Sequence, residues 1–343
     1  MIHATIRPIL FFILITASSQ IFGQQTYLKD AVPYRFGASV NPRLLMENSA
    51  YKQLVLTEFN SITAENHMKM MLIHPAADKF DFSKADYILD FAKRNQKRVH
   101  GHTLVWHNQV PAWMKDFQGD SNAWENMLKT HIQTVVTHFK GQIAGWDVVN
   151  ESYLDDGSVR PSIWSEHIQD YIAKSFQWAH EADPDAILFY NDYGQDGKPK
   201  KMQAILNLVK DLQKRNIPIH GLGLQMHVNI GAKNADILEV IEQASKTGLY
   251  IHFSELDVAV NPKNKADFEY NAAAKKAQAE KYDLIFSAYA AIPKAQQYGI
   301  TQWNVGDADS WLRSFFKRPK EFPLLFDDQY ARKPFYQTIL SSK

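Results

Sequence analysis

Short apolar runs and amphipathic stretches alternate along almost all of this chain, and that alternation limits its fold more than any other feature. Apolar runs fall at 35–40, 60–64, 98–106, 143–150, 187–192, 221–225, 249–255 and 299–304. Between them lie segments with apolar side chains at helical spacing. One begins at Ser121 or Asn122 and aligns Trp124, Met127, Leu128, His131, Ile132, Val135, Val136 and Phe139 before Gly141 ends it. A second carries Ile163, Trp164, His167, Ile168, Tyr171, Ile172, Phe176 and Ala179 and stops before Pro184. Eight strand candidates separated by helices within 343 residues predict an α/β chain, a single (β/α)8 TIM barrel. No Pro- or Ser-rich linker or internal repeat divides it, so one domain is expected over 24–343.

The first residues read differently. His3 and Arg7 precede an apolar run at 9–15, which is followed by Ala17, Ser18 and Ser19. A basic start, a short apolar run and a small-residue exit predict a secretory signal peptide over 1–23, cleaved after Ser19 or Gly23. The run is too short for a roughly 20-residue membrane span. The mature protein is therefore expected to be secreted or periplasmic, free of the membrane after cleavage, and monomeric. The chain has no Cys, which excludes disulfides, thiolate catalysis and Cys-ligated metals together. With 38 basic and 37 acidic side chains there is no global field to attract nucleic acid. The clusters Lys198-Pro199-Lys200-Lys201 and Lys275-Lys276 read as solvated helix starts and faces.

In such a barrel, chemistry sits where strands exit at their C-terminal ends. The run ending Trp146-Asp147-Val148-Val149-Asn150-Glu151 delivers a carboxylate to that mouth beside an amide. The run ending Phe253-Ser254-Glu255 delivers a second, with Asp257 two residues on and leaning the same way. Two carboxylates facing each other are what glycosidic cleavage needs, one protonated to release the leaving oxygen and one ionised to attack. Taken singly, each Glu is as readily a strand-end charge paired with a neighbouring cation. Alternation puts His100, His102, Leu104 and Trp106 on one face. That His-x-His pair suits a metal, but no third ligand lies in sequence reach, and hydrogen bonding to sugar hydroxyls or to a catalytic carboxylate is the preferred reading. Further strand ends carry Glu65-Asn66-His67-Met68-Lys69, Gln225-Met226-His227 and Gln302-Trp303-Asn304. Hydroxyl-matching groups with stacking rings are the palette of carbohydrate recognition.

These blocks, together with 101–109, Tyr190-Asn191-Asp192-Tyr193 and Asp309-Ser310-Trp311-Leu312, resemble glycoside hydrolase family 10, the endo-β-1,4-xylanases. The likeness runs in order from about Tyr34 to Leu340. It implies that Glu151 is the general acid/base and Glu255 the nucleophile of a retaining enzyme, with carboxyl groups roughly 5–5.5 Å apart. It implies that Asn150 holds the sugar 2-hydroxyl, and that His227 and Asp257 set the charge of the nucleophile. Glu65, Asn66 and Lys69 match the glycone-side set, and Tyr193 an aglycone-side stacking ring. His102, Trp106, Gln225, Trp303 and Trp311 match the lining of the cleaving subsite, where Trp303 and Trp311 would crowd the hydroxymethyl of glucose and select xylose. The implied substrates are xylan and xylo-oligosaccharides, with no cofactor and no metal.

Three positions depart from the family pattern. Asn304 stands where Gly is usual, Met226 where Ser is common, and Phe335 where a small residue is usual. The first bears on specificity near the cleaving subsite, and the last reads as core packing. Competing readings are a β-1,4-glucanase or mixed-specificity glycanase of the same clan, and a non-catalytic carbohydrate-binding barrel.

Overall fold

The computed structural model describes residues 26–341; the expected signal peptide lies outside them. The strands are β1 (Arg35–Val40), β2 (Ser61–Ala64), β3 (Arg98–Trp106), β4 (Gly145–Asn150), β5 (Ile187–Asp192), β6 (Gly221–Leu224), β7 (His227–Asn229), β8 (Tyr250–Ala259) and β9 (Gln297–Gln302). Every pairing between them is parallel. Eight of them close a ring in the order β6-β5-β4-β3-β2-β1-β9-β8, because β8 pairs back onto β6. Closure leaves no open edge, and helices cover the outside, as expected of a (β/α)8 barrel.

The ninth strand is a short extension outside the ring. β7 pairs with the outer end of β8 through His227↔Asp257, Val228↔Val258 and Asn229↔Ala259. This explains why β8 runs on to Ala259 and does not stop near 255: a partner satisfies its backbone beyond the ring.

The helices form where the apolar spacing places them. Ser121–His138 starts on the Asp120 carboxylate, which accepts from the Ala123 N–H at 2.9 Å. It buries Trp124, Leu128, Ile132, Val135 and Val136, each worth about 1.5–3 kcal/mol when removed from water. The second stripe is not one helix. It divides into Ile163–His167 and Tyr171–Ala182, because Asp170 adopts a left-handed backbone with φ 59°. The Asp170 carboxylate pairs there with Arg215. Phe335 is buried and its ring lies 5.8 Å from that of Tyr282, as core packing requires. Inside the barrel, the rings of His100, Phe189, His252 and Tyr298 pack on one another, with His100 and His252 4.6 Å apart and Phe189 and Tyr298 also 4.6 Å apart. Among the described residues no helix is long and apolar enough to cross a membrane.

Candidate active site

The C-terminal ends of the strands enclose a cavity of about 720 Å³. Of the residues singled out above, Glu65, Asn66, Lys69, His102, Trp106, Asn150, Glu151, Tyr193, Gln225, His227, Glu255, Trp303 and Trp311 all line it. Asp257 stands behind His227 and Trp311 and bonds to both. Residues spread over some 250 positions of sequence thus meet because eight parallel strands end on one face.

Glu151 follows β4 with φ 59°, an uncommon backbone for a non-glycine residue. Arg160 steadies it, donating from Nε to the Glu151 carbonyl at 2.9 Å and from Nη2 to the Tyr193 hydroxyl at 3.1 Å. The Glu151 carboxyl accepts from Trp106 Nε1 at 2.8 Å, Gln225 Nε2 at 3.0 Å and Asn150 Nδ2 at 3.2 Å. His107 lies 4.0 Å away; burial, together with the charges of Arg160 and Lys201, pushes its imidazole down to about 4.

Glu255 sits within β8. Burial would raise its carboxyl, but His102, His227 and Lys69 outweigh that and hold it below the ordinary range, so it is ionised at neutral pH. His227 is the nearest cation, with Nε2 3.4 Å from Glu255 Oε2 and Nδ1 2.8 Å from Asp257 Oδ2. Burial opposes its protonation, and the two carboxylates prevail, pushing it up to about 10. Asp257 also accepts from Trp311 Nε1 at 2.8 Å, which fixes that indole against the cleft. Lys69 donates to Asn66 Oδ1 at 3.1 Å, and its ammonium lies 5.0 Å from the Trp106 ring and 5.5 Å from the Trp303 ring.

The His-x-His pair has a definite role. His100 Nε2 and His102 Nδ1 clamp the two oxygens of the buried Asp147 at 3.0 and 2.8 Å. Burial alone would raise Asp147; the imidazoles overcome it and hold the carboxyl well below the usual range. His102 thereby presents its ring edge-on to Trp303, 5.2 Å between centroids. Alternation along β3 does not persist to its end. A register shift between His102 and Val105 leaves Leu104 fully buried, while Trp106 reaches the cavity.

One residue that the sequence marks only by its place in a motif joins the site together. Asn191, at the end of β5, donates from Nδ2 to Glu255 Oε1 at 2.8 Å and to Asn150 Oδ1 at 2.9 Å. Its own Oδ1 accepts from Ser254 at 2.7 Å. β5 and β6 lie between the two carboxylate-bearing strands, so Asn191 and Gln225 fill the interval. Asn191 ends an apolar run in the same way as Asn150, and that pattern was its available signal. Phe315 and Phe316 also line the cavity, and no periodicity marks them.

The basic cluster at 198–201 departs from the solvated reading. Lys201 is fully buried and pairs with Asp192 at 2.7 Å, its ammonium 4.0 Å from the Tyr193 ring. The first turn of the Pro199–Lys214 helix abuts the end of β5, and a buried carboxylate there needs a cation. Asn304 keeps the glycine-like backbone, with φ 78°, which asparagine tolerates better than most residues. Its side-chain oxygen accepts from the Trp311 N–H at 2.7 Å, so the asparagine adds a tie to the cavity wall.

The chain matches Glycosyl hydrolase family 10 over residues 24–342. It is similar to Endo-1,4-beta-xylanase B of Thermotoga neapolitana, 36% identical over 97% of this chain and 96% of that protein. The structure resembles xylanase 10B from Thermotoga petrophila RKU-1 in complex with xylobiose, with TM-score 0.86 and 36% identity over 93% of this chain and 98% of that one. It also resembles an intracellular xylanase from Thermoanaerobacterium saccharolyticum solved with xylotriose, with TM-score 0.82 and 36% identity over 89% and 95% of the two chains.

Proposed function

The chain belongs to glycosyl hydrolase family 10, and on that premise we propose that it is an exported endo-β-1,4-xylanase that cleaves the xylan backbone with retention of configuration. Glu255 attacks the anomeric carbon while Glu151 gives its proton to the departing glycosidic oxygen, so that the C–O bond to the aglycone breaks as the glycosyl ester forms. Water then enters. Glu151 takes its proton, the hydroxide adds to the anomeric carbon, and Glu255 leaves as carboxylate. The steps use two carboxyls and water.

Hydrogen bonds support several of the remaining roles. Asn150 is held by Asn191 and Gln225, which aims its amide at the position of the sugar 2-hydroxyl. His227, charged and backed by Asp257, keeps Glu255 ionised. Glu65, Asn66 and Lys69 supply polar contacts on the glycone side, and Tyr193 a stacking face on the aglycone side. The Trp303 and Trp311 indoles wall the cleaving subsite against a hydroxymethyl group. The observation that carries this reading is one cavity holding Glu151 and Glu255 on separate strands, with Glu255 held ionised beside a protonated imidazole.

The test is reducing-sugar release from xylan and carboxymethylcellulose. Strong activity on xylan is expected, lost in Glu255→Ala. Glu151→Ala should slow xylan cleavage about 10²–10⁴-fold and recover on aryl xylosides whose leaving group needs no proton. Preference for the cellulose derivative would overturn the substrate. Export is tested separately, by secretion of a protein whose first residue follows Ser19 or Gly23.

A further inference from the structure

The segment after β9 carries a surface that the bond-breaking steps do not use. The Trp311–Ser314 helix runs into Phe315 and Phe316, which are 70% and 43% exposed and line the same cavity as the two carboxylates. Leaving a large ring in water forgoes the gain of burying it, so two of them at a cleft mouth mark a contact surface. They extend the wall that Trp311 begins. Phe315 lies close to parallel with that indole, 24° between planes and 6.5 Å between centroids, while Phe316 meets it at 61° and 4.9 Å.

Three cations follow directly, Lys317, Arg318 and Lys320. The Arg318 guanidinium lies 4.8 Å from the centre of the Phe316 ring, and its backbone N–H is held by the Leu312 carbonyl at 3.1 Å. Lys317 and Lys320 are exposed. Among the described residues none of the three has an ion-pair partner. The acid that feels Arg318 is Glu321; that side chain is buried and accepts from the Val260 and Asn261 N–H groups. Inside the cleft, the cations Lys69 and His227 already face the carboxyls of Glu65, Glu151 and Glu255. A uronate on an entering chain therefore finds its unpaired cations at the rim.

We propose that Phe315, Phe316 and Arg318 form an outer subsite for a uronic-acid side unit of decorated xylan, its pyranose face on the phenyl rings and its carboxylate on the guanidinium. The inference rests on the xylanase reading and names the decoration which that cleft is built to take. A neutral arabinosyl branch would use the rings and gain nothing from the cations. A uronosyl branch uses both, and a charge-assisted pair beside an apolar face is stronger than the same pair in open water.

The experiment compares kcat/KM on glucuronoxylan, on the same polymer with its carboxyl groups reduced to alcohols, and on undecorated xylohexaose. The wild-type enzyme should favour the charged polymer over the reduced one by about three- to tenfold, the size of one to two partly shielded ion pairs. Added salt should narrow that ratio. Arg318→Gln should bring it close to one, and Phe315→Ala/Phe316→Ala should lower activity on both polymers. Xylohexaose cleavage by each variant reports that it is folded and competent. Equal wild-type activity on the two polymers overturns the proposal while leaving the xylanase reading intact, and so does a ratio that Arg318→Gln leaves unchanged. Failure to cleave xylohexaose at all overturns the underlying function.

Discussion

At the scale of single residues, the site works by holding carboxyls in unlike electrostatic settings. The pH dependence of His227 follows from this. Its folded-state value of about 10 stands above the roughly 6.5 of an unfolded chain. The stabilisation it brings is therefore complete below about 6.5 and is lost as pH rises through about 10. Thermal melts should show wild type exceeding His227→Asn by most near pH 6, with the gap closing toward pH 10; a gap that stays constant would contradict the charged imidazole. Arg160 is a positioning residue, since it touches the Glu151 carbonyl and the Tyr193 hydroxyl and not the reacting atoms. Arg160→Gln should slow hydrolysis of xylan about tenfold or more by misplacing Glu151. It should slow a dinitrophenyl xylobioside far less, because that leaving group needs no proton. Equal slowing of both would point to general loss of structure. Both carboxylates were legible as polar ends of apolar runs. Arg160 was not, because its role depends on a loop folding back onto β4, and sequence spacing does not encode that.

Strand register decides whether these residues meet. Asn191 of β5 pairs with Gly223 of β6, and a Cβ at Gly223 would come within 2.1 Å of the Asn191 side-chain oxygen. The missing side chain makes room for the amide that holds Glu255. Gly223→Ala should push Asn191 off Glu255 and lower kcat by about tenfold or more, with a stability loss of about 1–3 kcal/mol from overpacking; unchanged kcat in a folded variant would refute the link. Strands and helices were readable at this scale because their periods differ and several helix starts carry a capping residue, as at Asn41, Asp120 and Asn271. Two features escaped. The helical stripe through Ile168 and Tyr171 is interrupted by the left-handed backbone of Asp170, whose carboxylate pairs with Arg215 at the end of another helix. The extension of β8 depends on β7, whose three residues are too few to show alternation.

The barrel behaves as one unit because its site is shared among strands remote in sequence. A ligand that binds the folded cleft should stabilise all of it. In Glu255→Ala, xylohexaose at about 100 times its Kd should add about 2.7 kcal/mol and raise the melting temperature in a single transition; two separated transitions would mean that the barrel divides. The ring is completed by its two ends, since β1 pairs with β9, the Leu28 N–H donates to the Tyr336 hydroxyl at 2.8 Å, and Arg332 pairs with Glu58 at 2.7 Å. This imposes a timetable. A ribosome makes β1 first, and β1 waits for a neighbour that is synthesised some 260 residues later. Until β9 arrives, Trp303 is missing from the pocket and the wall cannot close. The nascent barrel is therefore silent by construction, and its chemistry begins only once β9 and Trp303 have been made.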